Sequence, residues 1–313
     1  MNEPSVPART SEERPPVSVI VFAREARDSI AATLESLAAQ AGIDEAEVIV
    51  ADASSDGTSE LIAGEFPWVR HLRLGPCTMP EGKARAIEAS SGALVAVIDA
   101  VDQAAPDWLH EIREGFASAA EEVQAIGGEV SFDGEPGRAN GPGYLFEYGA
   151  FAPRLEAQRT EGDLPGNNVA YRREVFDETC AELLADGFYK PLFHDKIRST
   201  GGQLRIHPKM RVKHRIRSSL LSFCARRFQY GRCFGSIRLR EAPSSRKWLY
   251  ILFVPLVPAL LSVRHFRRAW QHPTNRVLLL RCFPGLLLLC IAWGLGEWLG
   301  TWFGAGRSWT MVY

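Results

Sequence analysis

Two carboxylate clusters end apolar runs in the first third of the chain. Val48–Ala51 runs into Asp52, followed by Ala53-Ser54-Ser55-Asp56-Gly57-Thr58. Leu94–Ile98 runs into Asp99, with Val101 and Asp102 close behind. A continuous β-branched run is the pattern of a parallel strand buried on both faces. Ligands of open α/β sheets sit outside the carboxyl ends of such strands. Acids in that position suit the holding of a nucleotide and a metal better than the holding of a core.

The elements that must carry these residues alternate. Val17–Ala23 reads as a first strand, and Asp28 can cap a helix whose Ile30, Leu34 and Leu37 share one face. Glu47–Ala51 is a second strand, followed by a helix after Gly57 that carries Leu61 and Ile62. Arg70–Leu74 alternates like a third strand. Ala84–Ser90 reads as helix and Ala93–Ile98 as the fourth strand. This order predicts an α/β fold with a mixed, mainly parallel sheet and helices on both faces. No GxGxxG follows the first strand, which argues against a dinucleotide dehydrogenase. Further on, Ala125–Phe132 reads as a strand and Gly134–Gly143 as a loop. Asn168–Tyr171 is short and apolar. Leu204–Ile206 and Met210–Lys213 suggest a hairpin, and Ser218–Arg240 a long basic amphipathic helix.

The net charge of −1 conceals a polarity along the chain. Residues 1–195 hold 15 Lys and Arg against 35 Asp and Glu, whereas residues 196–281 hold 20 Lys and Arg and the single acid Glu241. An acidic half followed by a basic and then an apolar one suggests contact with anionic lipid rather than nucleic acid. The six cysteines form no CxxC pair and no metal-ligand spacing, and read as buried reduced thiols. Residues 1–16, polar and proline-rich, read as a disordered lead-in without a signal peptide.

Residues 241–313 are expected to form a membrane-associated helical region. Trp248–Val263, broken by Pro255 and Pro258, would reach roughly 24 Å, short of the ~30 Å hydrocarbon layer. Cys282–Ala305 is longer, has the single charge Glu297 and can span. Gly296, Gly300 and Gly304 recur at the spacing that lets helices approach closely in lipid, so a partner helix is expected there. The stretches flanking the first segment are both basic, and basic flanks stay cytoplasmic. Residues 248–263 would then be re-entrant or interfacial and 282–305 transmembrane, at the cytoplasmic face of the inner membrane.

Taken in order, Val17-Ser18-Val19-Ile20, Leu34–Gln40, Asp52–Thr58, Gly82-Lys83-Ala84-Arg85-Ala86 and Asp99–Asp102 resemble family 2 glycosyltransferases of GT-A fold. The likeness covers roughly residues 17–235, making 17–240 the transferase domain. It implies an inverting enzyme that moves a sugar from a nucleotide diphosphate donor to a lipid-linked or membrane-proximal glycan acceptor, for cell-surface glycan synthesis. By position, Asp52 would hold the donor's base, and Lys83 and Arg85, at a loop-to-helix start, its phosphates. Asp99 and Asp102 would share a Mg²⁺ or Mn²⁺ ion, with Val101 replacing the usual middle Asp and His214 as an extra ligand. Asp195 would take the acceptor's proton, and His194, replacing a Glu, would orient the acceptor or tune Asp195. Asn168 would bond sugar hydroxyls, and Arg227, with Arg226 and Arg232, would meet the pyrophosphate or lipid headgroups. Val101 and His194 also leave a second class open: a catalytically impaired nucleotide-sugar-binding or scaffold subunit of the same fold.

Overall fold

The computed structural model describes residues 16–133, 140–153, 159–160, 162–215, 219–241 and 247–310. The expected lead-in, apart from its last residue, lies outside them. The chain divides into two compact units, Met1–Glu129 with Glu156–Val212, and Val130–Leu155 with Lys213–Tyr313.

The first unit is built on a sheet whose early strands follow the apolar runs. β1 (Val17–Ala23), β2 (Glu47–Asp52), β3 (Arg70–Arg73) and β4 (Leu94–Asp99) pair in parallel. β5 (Asp102–Ala104), β6 (Val123–Phe132), β7 (Arg159–Thr160), β8 (Asn168–Arg172) and β9 (Gln203–His214) complete nine strands in the order β3-β2-β1-β4-β8-β6-β9-β5, with β7 beside β9. β8 runs antiparallel to both β4 and β6. The mixed, mainly parallel sheet expected from the sequence is therefore present.

Among the described residues, six α-helices complete this unit: α1 (Ile30–Ala38), α2 (Thr58–Glu65), α3 (Met79–Ala89), α4 (Trp108–Ala117), and, past a fifth described below, α6 (Ala181–Ala185) and α7 (Lys190–Ser199). Ile30, Leu34 and Leu37 of α1 are all buried. The N-cap of α1 is Ser29, not Asp28, and its hydroxyl donates back to the Ala26 carbonyl instead of capping the helix. α3 begins five residues before Ala84, because Thr78 and Glu81 form a capping box with Pro80 in the first turn. The expected hairpin is one continuous strand, β9.

Registered residues on neighbouring strands share a face. Phe22 and Asp99 are partners, as are Ala23 and Asp52, so the two acids leave the same rim toward opposite faces of the sheet. α3 covers the Phe22 face: a Cβ on Gly82 would lie 2.2 Å from the Phe22 ring, so only glycine lets the helix settle there.

The second unit is helical: α5 (Asn140–Glu147), α8 (Leu220–Glu241), α9 (Lys247–Phe253), α10 (Val257–Trp270) and α11 (Arg276–Phe303). Asn140–Gly143, expected in a loop, opens α5 instead; residues 134–139 of that loop lie outside the described residues. A 3₁₀ turn at Val254–Leu256, containing Pro255, separates α9 from α10. Residues 273–303 form, among the described residues, one helix long and apolar enough to cross a membrane. The partner of Gly296 and Gly300 is α8 of the same chain, where Gly231 and Gly235 answer them. Gly304 lies outside this contact and ends α11 with a φ of 71°.

Candidate active site

The rim of the first unit is tied together by its own polar groups. Ser55 donates through N–H and hydroxyl to Glu25 at 2.9 and 3.0 Å, and the Glu25 N–H donates to the Ser54 hydroxyl. Asp56 accepts from the N–H groups of Arg27 and Thr58, the turn role its place before Gly57 suggests. The loops after β1 and β2 are thus held as one piece.

Asp52 sits behind these loops and is buried. Its Oδ1 accepts from the Ser54 N–H at 2.9 Å, and its Oδ2 meets the Ser59 hydroxyl and His71 Nε2. Burial pushes its carboxyl up, but the bonds from Ser59, Ser54 and His71 outweigh this and hold it below the usual range. The carboxylate expected to meet the donor's base is therefore engaged in bracing the loop that follows it.

Lys83 and Arg85 do not act as a pair. Both lie inside α3 rather than at its start, so their N–H groups are not presented to a ligand. Two positions apart on a helix, they face different ways. Arg85 is exposed, while Lys83 is buried and reaches Asp99, Nζ to Oδ1 at 2.8 Å.

The expected Asp99–Asp102 chelate is not formed. Asp102 is fully buried, and its Oδ2 accepts from Asn167 Nδ2 at 2.8 Å. Asp99 keeps a partly exposed carboxylate. His214 belongs to the second unit, where its ring meets Tyr148 edge-on at 4.6 Å. Among the described residues, no three His, Cys, Asp or Glu side chains converge. The donor set fits a hard cation held by Asp99 together with a diphosphate's own oxygens, as such ions commonly are, and not one held by two carboxylates and a histidine.

Asn168 and Arg227 are engaged within the protein. Asn168 accepts from Trp108 Nε1 at 2.8 Å and donates to the carbonyls of Glu129 and Met210 at 2.9 and 3.0 Å, which joins β6, β8, β9 and α4. Its amide is used up before any sugar arrives. Asn168→Ala strands three buried polar groups, each worth roughly 1–3 kcal/mol. Urea unfolding will show the variant destabilised by at least about 2 kcal/mol. Arg227, in the second unit, pairs with Glu147 at 2.7 Å and stacks between Phe146 and Tyr230.

The acceptor-side residues separate. Asp195 is 66% exposed and its partner is Arg198, one turn along α7. His194 is 1% exposed and faces elsewhere: Nδ1 meets Asp163 Oδ1 at 2.7 Å, and Nε2 meets the Tyr171 hydroxyl at 2.8 Å. Lys190 Nζ bridges both Asp163 oxygens at 2.8 and 2.9 Å and donates to the Leu164 carbonyl. Partial burial pushes the Asp163 carboxyl up, yet His194 and Lys190 bring it down to about 2. Burial lowers His194 and raises Tyr171. The neutral imidazole therefore donates from Nδ1 to Asp163 and accepts from Tyr171. Asp163, Lys190 and Tyr171 escape a reading of the sequence; the one signal was a histidine where relatives carry an acid.

A family model for glycosyl transferase family 2 matches residues 18–180. The chain is 33% identical over 218 residues, 68% of its length, to the succinoglycan biosynthesis protein ExoO of Rhizobium meliloti (strain 1021). It spans about half of that relative, 55%. Its fold is similar to that of a Pyrobaculum calidifontis mannosyltransferase, PcManGT, solved with GDP-Man and Mn²⁺ (TM-score 0.51, 21% identity, 96% of this chain and 84% of that one). It is also similar to GalNAc-T7, solved with UDP, GalNAc and Mn²⁺ (TM-score 0.50, 17% identity, 66% of this chain and 45% of that one). With the family model matching over half of its length and a relative 33% identical over 68% of it, the chain belongs to glycosyl transferase family 2.

Proposed function

We propose that this transferase moves a sugar, with inversion, from a nucleotide diphosphate donor to a hydroxyl of a lipid-linked or membrane-proximal glycan, in cell-surface polysaccharide synthesis. The observation that carries the reading is the Lys83–Asp99 pair at the carboxyl rim. A fixed ammonium beside a partly exposed carboxylate is suited to a departing diphosphate. The acceptor oxygen attacks the anomeric carbon as the bond to the diphosphate breaks, and the electron pair leaves on the phosphate oxygen. Charge then grows on the diphosphate, where a preorganised cation stabilises the transition state most. A divalent ion, when bound at Asp99, would add to that neutralisation. Lys190 lies within electrostatic reach of Lys83 and adds positive charge to the same region. The GDP-Man, UDP and Mn²⁺ carried by the two structural neighbours support a donor and an ion of these classes.

The second unit supports a membrane site. Besides the long apolar helix, α9, the 3₁₀ turn after it and α10 expose Trp248, Leu252, Leu256 and Leu260, spaced four apart, with Arg264, Arg267 and Arg268 just beyond. An apolar row next to arginines suits a helix lying in the interface of an anionic leaflet. That favours an interfacial placement of 248–263 over a re-entrant one, with the basic segments on the cytoplasmic side.

The test uses the full chain in lipid nanodiscs with a panel of nucleotide diphosphate sugars, with and without Mn²⁺. One donor, at 100 times its Kd, stabilises the fold by about 2.7 kcal/mol and raises Tm. The same donor is consumed in the presence of a membrane extract. Product of retained anomeric configuration would refute inversion. If no nucleotide sugar protects the fold and none is consumed, the proposal falls.

A further inference from the structure

We propose that Asp163 is the carboxylate that receives the acceptor's proton, with His194 and Tyr171 as positioning residues behind it. This rests on the transferase reading above and names a residue that the family's sequence pattern does not.

The argument starts from an imbalance of burial. The Asp163 side chain is 53% exposed, whereas His194 and Tyr171 behind it are almost fully enclosed. Enclosing an imidazole and a phenol disfavours folding unless each finds a partner. Here each does, and the chain of bonds ends on a surface carboxylate. Pairing with Lys190 alone would already hold a merely structural Asp163, so the buried Tyr–His pair behind it is more support than that role requires. What the arrangement secures is direction. Lys190 and His194 fix both carboxylate oxygens in one orientation and leave an edge open to solvent.

Topology sets where that edge lies. β8 runs antiparallel to β4 with Asn168 opposite Ile98, so the segment just before β8 emerges at the end of the sheet where Asp99 stands. Asn167, bonded to Asp102, pins the segment there. Tyr171 is registered with Val95, which shares its face with Val97 and Asp99. The buried chain therefore approaches from the face that carries Lys83. Phe188 N–H donates to the Pro80 carbonyl at 2.9 Å, which holds the start of α7 against the start of α3. Asp195 lacks any such support, and a surface pair within one helix contributes little.

The step balances without another reactant. The acceptor O–H bond breaks and its proton passes to an Asp163 oxygen. The acceptor oxygen bonds the anomeric carbon, and the diphosphate departs with the electron pair. A carboxyl held near 2 is a weak base toward a free hydroxyl. It suffices here, because the attacking hydroxyl becomes strongly acidic as its bond to carbon forms.

The experiment compares D163N, D195N, H194A and H194N in the full chain, with turnover and donor-induced thermal shift both measured. D163N is expected to lose about 10²–10⁴-fold in turnover with the donor shift unchanged, a loss at least tenfold greater than that of D195N. H194A falls with D163N. H194N, whose amide can donate from the Nδ1 position, recovers at least tenfold over H194A, a rescue that a purely structural histidine would not give. Near-normal turnover in D163N, or a larger loss in D195N, overturns the assignment while leaving the transferase reading intact. A wild-type protein that binds and consumes no donor overturns both.

Discussion

Lys83→Met lowers turnover by about 10²–10³-fold, the usual loss when one preorganised electrostatic donor is removed from a developing charge. The ammonium is buried in the second turn of α3 and meets Asp99 at 2.8 Å. Its stem has little room, because Gly82 brings the helix onto Phe22 and Phe22 is registered with Asp99. Methionine matches the stem and removes the charge, so the variant isolates the electrostatic contribution from packing. Lys83→Arg keeps the charge but demands space for a planar head, and falls between the two. Asp99→Asn also loses activity. The double variant K83M/D99N loses less than the sum of the singles, because the two groups form one unit. Steady-state turnover with the donor found by thermal shift provides the readout. Wild-type turnover in K83M would show that the pair is only a strut.

The parts of the fold legible in the sequence are those that one element decides by itself. β1, β2 and β4 are long β-branched runs, and their limits match within a residue or two. α1 declared itself through Ile30, Leu34 and Leu37. Where two local signals compete, the expectation failed. The helix expected from Ala84 starts at Met79 instead, because Thr78 and Glu81 cap it across Pro80 and Gly82. The hairpin expected from Leu204–Ile206 and Met210–Lys213 is one strand, with Pro208 inside it. Pro208 falls between Arg205 and Ile206, which pair with β7, and Arg211, whose carbonyl accepts from the Ala105 N–H. The site was legible in its motifs but not in its partners. Asn168 looks alike in sequence whether it bonds a sugar or a helix and two strands, and only its enclosure decides. Asp163 is one acid among many in an acidic half. Its meaning depends on a tyrosine eight residues later and a histidine 31 residues later, brought together by the pairing of β8 with β4 and the docking of α7.

Gly296→Ala and Gly231→Ala each destabilise the α8–α11 pair by about 1–3 kcal/mol, the range of an overpacked core. Elsewhere in a helix the same change adds about 1 kcal/mol of stability. Geometry decides between the two signs. A Cβ at Gly296 would lie 2.0 Å from the Phe228 carbonyl oxygen, and one at Gly231 2.1 Å from that of Trp293. Gly300 and Gly235 face Arg232 and Glu297 carbonyls at 2.0 and 2.2 Å. These neighbours are backbone, so no rotamer relieves the clash and the helices must move apart. The separation strains a polar cluster on the same seam. The buried Glu297 takes Arg238 at 2.8 Å and Trp293 Nε1 at 3.0 Å, and Arg232 Nε donates to the Gly304 carbonyl at 3.0 Å. The enclosed Glu297 would lose a cation that is itself 41% exposed, at a further cost of about 1–3 kcal/mol. The double variant G231A/G296A is therefore expected to lose less than twice the single effect if one displacement relieves both clashes, and more if Glu297 is stranded. Thermal unfolding in detergent measures each variant, with Leu295→Ala on the exposed side of α11 as the control. A Tm for G296A at or above wild type would mean that the two helices do not pack glycine to backbone.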